Sequence, residues 1–172
     1  RDVAPSRGLG DVYKRQIRKY KDCPVEKDKL LQILKAGMQA PNACNQQPWE
    51  FYVVTDKETI QKLSQITPYA RCAAKAPVII VPVYRTEGLP ALPMVAIDMG
   101  MALENIWLET DALGLGGVCI GISPIQEWMD QARQILGITE NLSVFSLFAL
   151  GYPDEERTQQ DRFDRSRIHF VE

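Results

Sequence analysis

The sequence predicts one layered domain in which helices alternate with strands. A chain of 172 residues with 45% hydrophobic residues suffices for one core and is short for two. Apolar residues switch repeatedly between helical spacing and short β-branched runs, with no internal repeat or low-complexity tract. This defines a sheet-and-helix class and leaves the topology open.

The elements follow in order. Residues 1–16 carry Pro5, Gly8 and Gly10, show no helical periodicity and resemble adaptor-derived sequence, so they are set apart from a single domain over 17–172. The stretch 26–38 predicts a helix with Leu30, Leu31, Ile33, Leu34 and Met38 on its apolar face, stopped by Gly37 and Pro41. Aromatic and β-branched residues predict a strand over 49–55, and Ile60 and Leu63 face inward from a short helix over 57–66. Val78, Ile79, Ile80 and Val81 form an apolar run of the kind buried on both faces of a sheet, and Pro82, which has no N–H, predicts an end or bulge there.

A loop over 85–93 with Gly88, Pro90 and Pro93 leads into the longest helix, 94–113, apolar on nearly every side, with Gly114 suited to a left-handed cap. A helix apolar all round is buried all round, and a domain this small predicts a second subunit to cover part of it. A core strand over 117–122 follows. Ser123, Pro124 and Gln126 form a capping-box pattern for a helix closing at Gly137. A last core strand over 144–150 precedes a charged arm over 154–172, whose residues 168–171 predict an edge strand.

Composition removes several functions. A formal charge of -2, from 20 basic and 22 acidic residues, gives no general attraction to nucleic acid or anionic membranes. The apolar region 94–113 is interrupted by Asp98, Glu104, Glu109 and Asp111, short of the about 18 uninterrupted apolar residues that a membrane span needs. Cys23, Cys44, Cys72 and Cys119 lie far apart without a Cys-x-x-Cys pair, which predicts neither a zinc site nor a disulfide scaffold, and fits reduced thiols in a cytoplasm. The single histidine, His169, lies near the C-terminus, which disfavours Cys-His or Ser-His hydrolysis. No metal site and no protein acid or base is predicted.

The most informative stretch is 41–51, Pro-Asn-Ala-Cys-Asn-Gln-Gln-Pro-Trp-Glu-Phe. Asn45, Gln46 and Gln47 each offer a donor and an acceptor, which suits the alternating polar edge of a flat heterocycle. Such clusters between apolar segments are also ordinary turns. Lys14, Arg15, Gln16 and Arg18 cluster near one end of the chain, and Arg165 and Arg167 near the other; arginine's fork of donors matches a phosphate, though basic runs are commonly solvated faces. Gly116, Gly117 and Gly121 mark a strand that a ring can approach closely, without forming a Gly-x-Gly-x-x-Gly fingerprint.

These segments, in this order, resemble the nitroreductase family of FMN-dependent oxidoreductases. The resemblance rests on 17–20 with Pro24 and Val25, the stretch 41–51, the helix segment 98–106, the turn 114–121, residues 148–153 and the closing 167–170. It implies an α+β, nitroreductase-like fold: a mainly antiparallel mixed sheet flanked by helices, a long central helix at a homodimer interface, active sites at that interface, and a C-terminal arm crossing onto the partner. It implies FMN as cofactor and NADH or NADPH as electron donor.

Carried over by position, the family's basic pattern falls on Lys14, Arg15, Gln16 and Arg18, with Gln16 where a serine is usual. Asn45 falls on the asparagine that contacts the flavin ring, with Gln47 beside it, and Asn42 replaces another common serine. Cys119, Ile120 and Gly121 fall on the backbone donors near the flavin N5, and Arg165 and Arg167 lie in the closing basic segment. The implied reaction is ping-pong reduction of a nitroaromatic, quinone or related acceptor. The alternative is a flavin-binding or interaction protein without turnover.

Overall fold

The strands that the β-branched residues predict pair into one antiparallel sheet in the computed structural model, which describes residues 16–156 and 163–171. Helix α1 (Lys27–Met38) leads through a short 3-10 turn to β1 (Trp49–Val54), α2 (Lys57–Leu63) and β2 (Val78–Arg85). Helix α3 (Val95–Ala112), β3 (Gly116–Gly121), α4 (Gln126–Leu136), β4 (Leu142–Val144) and β5 (Ser146–Gly151) follow. The main order is β1-β2-β5-β3, with β4 continuing the β5 side along the end of β2.

Period-two alternation sends the two sides of each strand into different layers. Ile79, Val81 and Val83 of β2 pack with Ile60, Leu63 and Met129 beneath α2 and α4, while Val78 and Ile80 pack with Ile33, Leu103 and Ile106 beneath α1 and α3. Both faces of β2 are therefore covered, which is why six consecutive residues of it are buried. Gln32 Nε2 donates to Glu109, and Asn105 Nδ2 to the Ala36 carbonyl, so α1 and α3 run antiparallel. Their separation is small: a Cβ on Gly37 would stand 2.7 Å from the Ile106 side chain.

Several expectations need correction. The strand containing Pro82 does not end there. It continues to Arg85, and the irregularity falls in the facing chain, where Phe145 separates β4 from β5 and donates its N–H to the Pro82 carbonyl at 2.9 Å. The last core strand is thus two strands. Ser123 does not cap α4; the helix starts at Gln126 with Ile125 at the cap position and no side-chain cap bond. Leu31 and Met38, placed on the buried face of α1, are 55% and 51% exposed.

The long helix is buried only in part: Val95, Met99, Ala102 and Ile106 face the core, whereas Met94 beside it, Ile97 and Met101 face outward. Residues 168–171 pair as no strand among the described residues; a 3-10 turn, Arg165–Arg167, precedes them, and Phe170 and Val171 stay exposed. The stretch 68–75, assigned to no element from the sequence, forms a 3-10 helix, Pro68–Lys75, that packs Ala70 and Ala73 into the core. Gly114 and Gly137 do take the left-handed backbone that ends α3 and α4.

Candidate functional site

The amide loop owes its shape to long-range polar contacts. Ala40 is buried at the end of α1, and the chain then turns through the 3-10 segment Ala43–Asn45. Cys44, Asn45 and Gln47 take φ values of 51, 51 and 42°. Non-glycine residues in this region cost about 1 kcal/mol or more apiece, so the surrounding structure must hold them there.

Asp98, 2% exposed on α3, is the main anchor. Its two oxygens accept from Ala43 N–H at 2.9 Å and from Gln46 Nε2 at 2.6 Å. Gln46, also buried, clasps Ala91 in both directions: Nε2 donates to its carbonyl at 3.1 Å, and Oε1 accepts from its N–H at 3.0 Å. Arg85 then donates to the carbonyls of Gln46 and Gln47 at 2.7 and 3.0 Å, and Asn42 Oδ1 accepts from Gln47 N–H at 2.8 Å. With its base fixed this way, the loop presents Asn45 and Gln47 to solvent, their amides bonded to each other at 3.0 Å.

The other predicted residues fall into separate groups. Lys14 and Arg15 lie outside the described residues. Gln16 and Arg18 are exposed, with the guanidinium donating to Gln16 Oε1 at 3.3 Å, and the Arg18 and Lys19 N–H groups both donating to Glu155 Oε1. Ile17, fully buried, ties this segment to β3 by donating to the Gly117 carbonyl at 3.1 Å.

Cys119, Ile120 and Gly121 pair with Phe148, Leu147 and Ser146 of β5. Because β3 is an edge strand, its outer side beyond Gly117 bonds to no backbone group among the described residues. A Cβ on Gly121 would meet nothing within 4 Å, so that end of the strand is open. Burial pushes the Cys119 thiol up to about 11, which keeps it neutral at physiological pH.

Arg165 and Arg167 sit on the exposed tail. The Arg165 guanidinium lies 4.8 Å from the Phe170 ring centre, and Arg167 Nε pairs with Asp164 at 3.1 Å. Hydrogen bonds from Ser166 hold the Asp164 carboxyl below its ordinary range, with a smaller contribution from Arg167. Among the described residues, no hydrogen bond or ion pair joins the amide loop to the basic segment at 16–18 or to the tail.

The structure therefore brings Asn45 together with Gln47, and Gln16 together with Arg18. Sequence reasoning missed Asp98, Gln46 and Arg85 as the residues that shape the loop. The available signal was Asp98 itself, an acid spaced with Val95, Met99 and Ala102 on the inward face of an apolar helix.

An antiparallel sheet between two helical layers, with a strained amide loop braced by the central helix, defines an α+β ligand-binding domain. The nitroreductase family model matches residues 12–68 and 67–152. A protein of Archaeoglobus fulgidus assigned as an NADH dehydrogenase/NAD(P)H nitroreductase is 40% identical over 161 residues, covering 91% of this chain and 92% of its own. A Clostridium acetobutylicum protein assigned as an NADH oxidase has a solved structure with TM-score 0.89 and 42% identity, over 93% of this chain and 97% of that one. The FMN-dependent nitroreductase of Clostridium difficile R20291 superposes with TM-score 0.86 at 32% identity, over 94% and 98% of the two chains. The chain belongs to the nitroreductase family and is an oxidoreductase of that type.

Proposed function

We propose that the protein is an FMN-dependent oxidoreductase that takes electrons from NADH or NADPH and delivers them to a quinone, nitroaromatic or related small acceptor in two alternating half-reactions. The observation that carries this reading is the amide loop: two exposed amides held in left-handed backbone by a buried carboxylate. The donor set suits a flavin. Asn45 and Gln47 offer amides for the ring edge, the open outer edge of 119–121 offers backbone groups where Gly121 leaves room, and Arg18 and Arg167 offer guanidinium groups for a phosphate. The name of the Clostridium difficile relative points to the same cofactor.

When bound, FMN supplies the hydride and electron chemistry; the residues of this chain hold it, orient it and set its electrostatics. Asn45 and Gln47 would hold the polar edge of the ring, and Cys119, kept neutral by burial, would add no negative charge to the site. Arg167 must exchange its Asp164 contact for the phosphate. That contact is exposed and correspondingly weak.

A homodimer completes this reading, since among the described residues no hydrogen bond or ion pair joins the loop to the basic segment or to the arm. Met94, Ile97 and Met101 of the α3 region, with Leu31 and Met38 of α1, offer apolar surface for a second copy, and residues 168–171 have exposed apolar side chains to lay on it. The four free thiols suit a reducing cytoplasm, and among the described residues no helix is long and apolar enough to cross a membrane.

The purified protein should be yellow and should oxidise NADH or NADPH when given menadione or a nitroarene. Bound FMN without turnover would favour a flavin-binding protein instead. A colourless protein that takes up no added FMN would sink both readings.

A further inference from the structure

We propose that a cavity lined by none of the amide-loop residues binds a small, largely apolar organic anion of the aromatic carboxylate type. The cavity holds about 540 Å³ between the stretch 20–25, the start of α2 and the stretch 74–78. That volume lies within the range of small-molecule sites. None of its lining residues belongs to the amide loop, the basic segment at 16–18, the open end of β3 or the tail.

Its chemistry divides cleanly. Val25, Ile60, Ala76 and Val78 form a buried apolar floor that accepts a hydrocarbon or aromatic body. The lining includes three lysines, Lys21, Lys57 and Lys75, and one acidic residue, Asp22, in a chain whose formal charge is -2. Two other lysines are paired, Lys29 with Glu26 and Lys62 with Glu58. Among the described residues, none of the three cavity lysines has its side chain in an ion pair or hydrogen bond.

An anion on an apolar body fills both halves of this site, because burial of the body and attraction to the unpaired ammonium groups act together. The lining does not suit a flavin ring, since Gln61 is its only amide side chain and that nitrogen already donates to the Ala74 carbonyl at 2.8 Å. Nor does it offer the arginine forks that favour a nucleotide polyphosphate.

The test is calorimetric titration of the FMN-supplemented protein with 2-naphthoate, using the neutral 2-naphthamide as its control. The same titrations are run on the Lys57→Glu/Lys75→Glu double variant and on Asn45→Ala. One site per chain is expected, with binding at least tenfold weaker for the amide and for the double variant, and unchanged by Asn45→Ala. Both lysines are exposed, so the fold should persist, which circular dichroism checks.

Cys23 in the cavity wall provides an independent reporter: naphthoate should slow its alkylation by iodoacetamide, read on the Cys23 peptide by mass spectrometry. Equal affinity for the amide, equal affinity in the double variant, or unprotected Cys23 would overturn the proposal. Loss of binding in Asn45→Ala would also overturn it, by moving the ligand to the amide loop. Because the readout is binding of naphthoate, failure of the flavin assignment leaves the test intact.

Discussion

Asp98 and Asn45 divide the labour of the amide loop, and substitutions should separate them. Asp98 is buried and serves two donors, so Asp98→Ala strands the Ala43 N–H and removes one of the partners of Gln46. Leaving such groups without partners costs about 2–3 kcal/mol. Urea denaturation should show that loss together with poorer FMN retention. Asn45 is exposed, and among the described residues its side chain bonds only to Gln47. Asn45→Ala should shift the flavin spectrum and weaken FMN retention while changing stability by less than about 0.5 kcal/mol. Unchanged FMN affinity in both Asn45→Ala and Arg167→Ala would remove those two residues from the site.

The thiols give a second residue-scale contrast. Cys44 is exposed in the loop, while burial raises Cys119 from an ordinary 9.0 to about 11. At pH 8 a thiol reagent should label the exposed Cys44 promptly and the half-buried Cys119 much more slowly. The linkage has a definite sign: the folded state holds the Cys119 proton more tightly, so its contribution is intact below pH 9 and is lost as pH rises towards 11. The fall in stability across that window should be shallower in Cys119→Ala.

At the scale of elements, the sheet depends on close backbone approaches that glycine permits. A Cβ on Gly117 would stand 2.7 Å from the Phe148 ring and 2.8 Å from the Ala149 carbonyl. The ring is fully buried and also meets Trp107 edge to face at 5.6 Å, so neither neighbour has room to yield. Gly117→Ala should therefore destabilise by about 1–3 kcal/mol, measured by chemical denaturation.

The elements were legible in the sequence wherever a period or a breaker was strong. Val78 to Val81 announced a doubly buried strand, and Gly114 and Gly137 marked two helix ends. What the sequence hid depends on partners far along the chain. The effect of Pro82 appears at Phe145, and the loop's anchor lies 52 residues from Gln46. Leu31 and Met38 share a helical period with core residues, so periodicity alone could not show that they face outward. Asn45 and Gln47 were legible as amides in a motif, but neither their exposure nor the buried contacts that hold them were.

At the scale of the whole molecule, one chain leaves a row of apolar side chains exposed on adjoining helices. Helix α3 turns Ile97 and Met101 outward at 51% and 42% exposure, and the tail leaves Phe170 at 70% and Val171 at 99%. The outer edge of β1 is also without a strand partner among the described residues, which offers backbone pairing to an extended segment of a second copy. A row of this kind gains by burial at roughly 25 cal/mol per Å² of apolar surface. A carboxylate placed in it would instead oppose association, because desolvating the charge costs more than the packing returns.

The double variant Ile97→Asp/Met101→Asp should accordingly keep its fold, since both side chains already face solvent in the single chain, yet sediment as a monomer where the parent sediments as a dimer. If the site is shared between copies, that monomer should also lose FMN, and raising the protein concentration should restore flavin and dimer in parallel. A variant that stays dimeric would move the interface elsewhere. A monomer that retains FMN at full affinity would show that one chain completes the site.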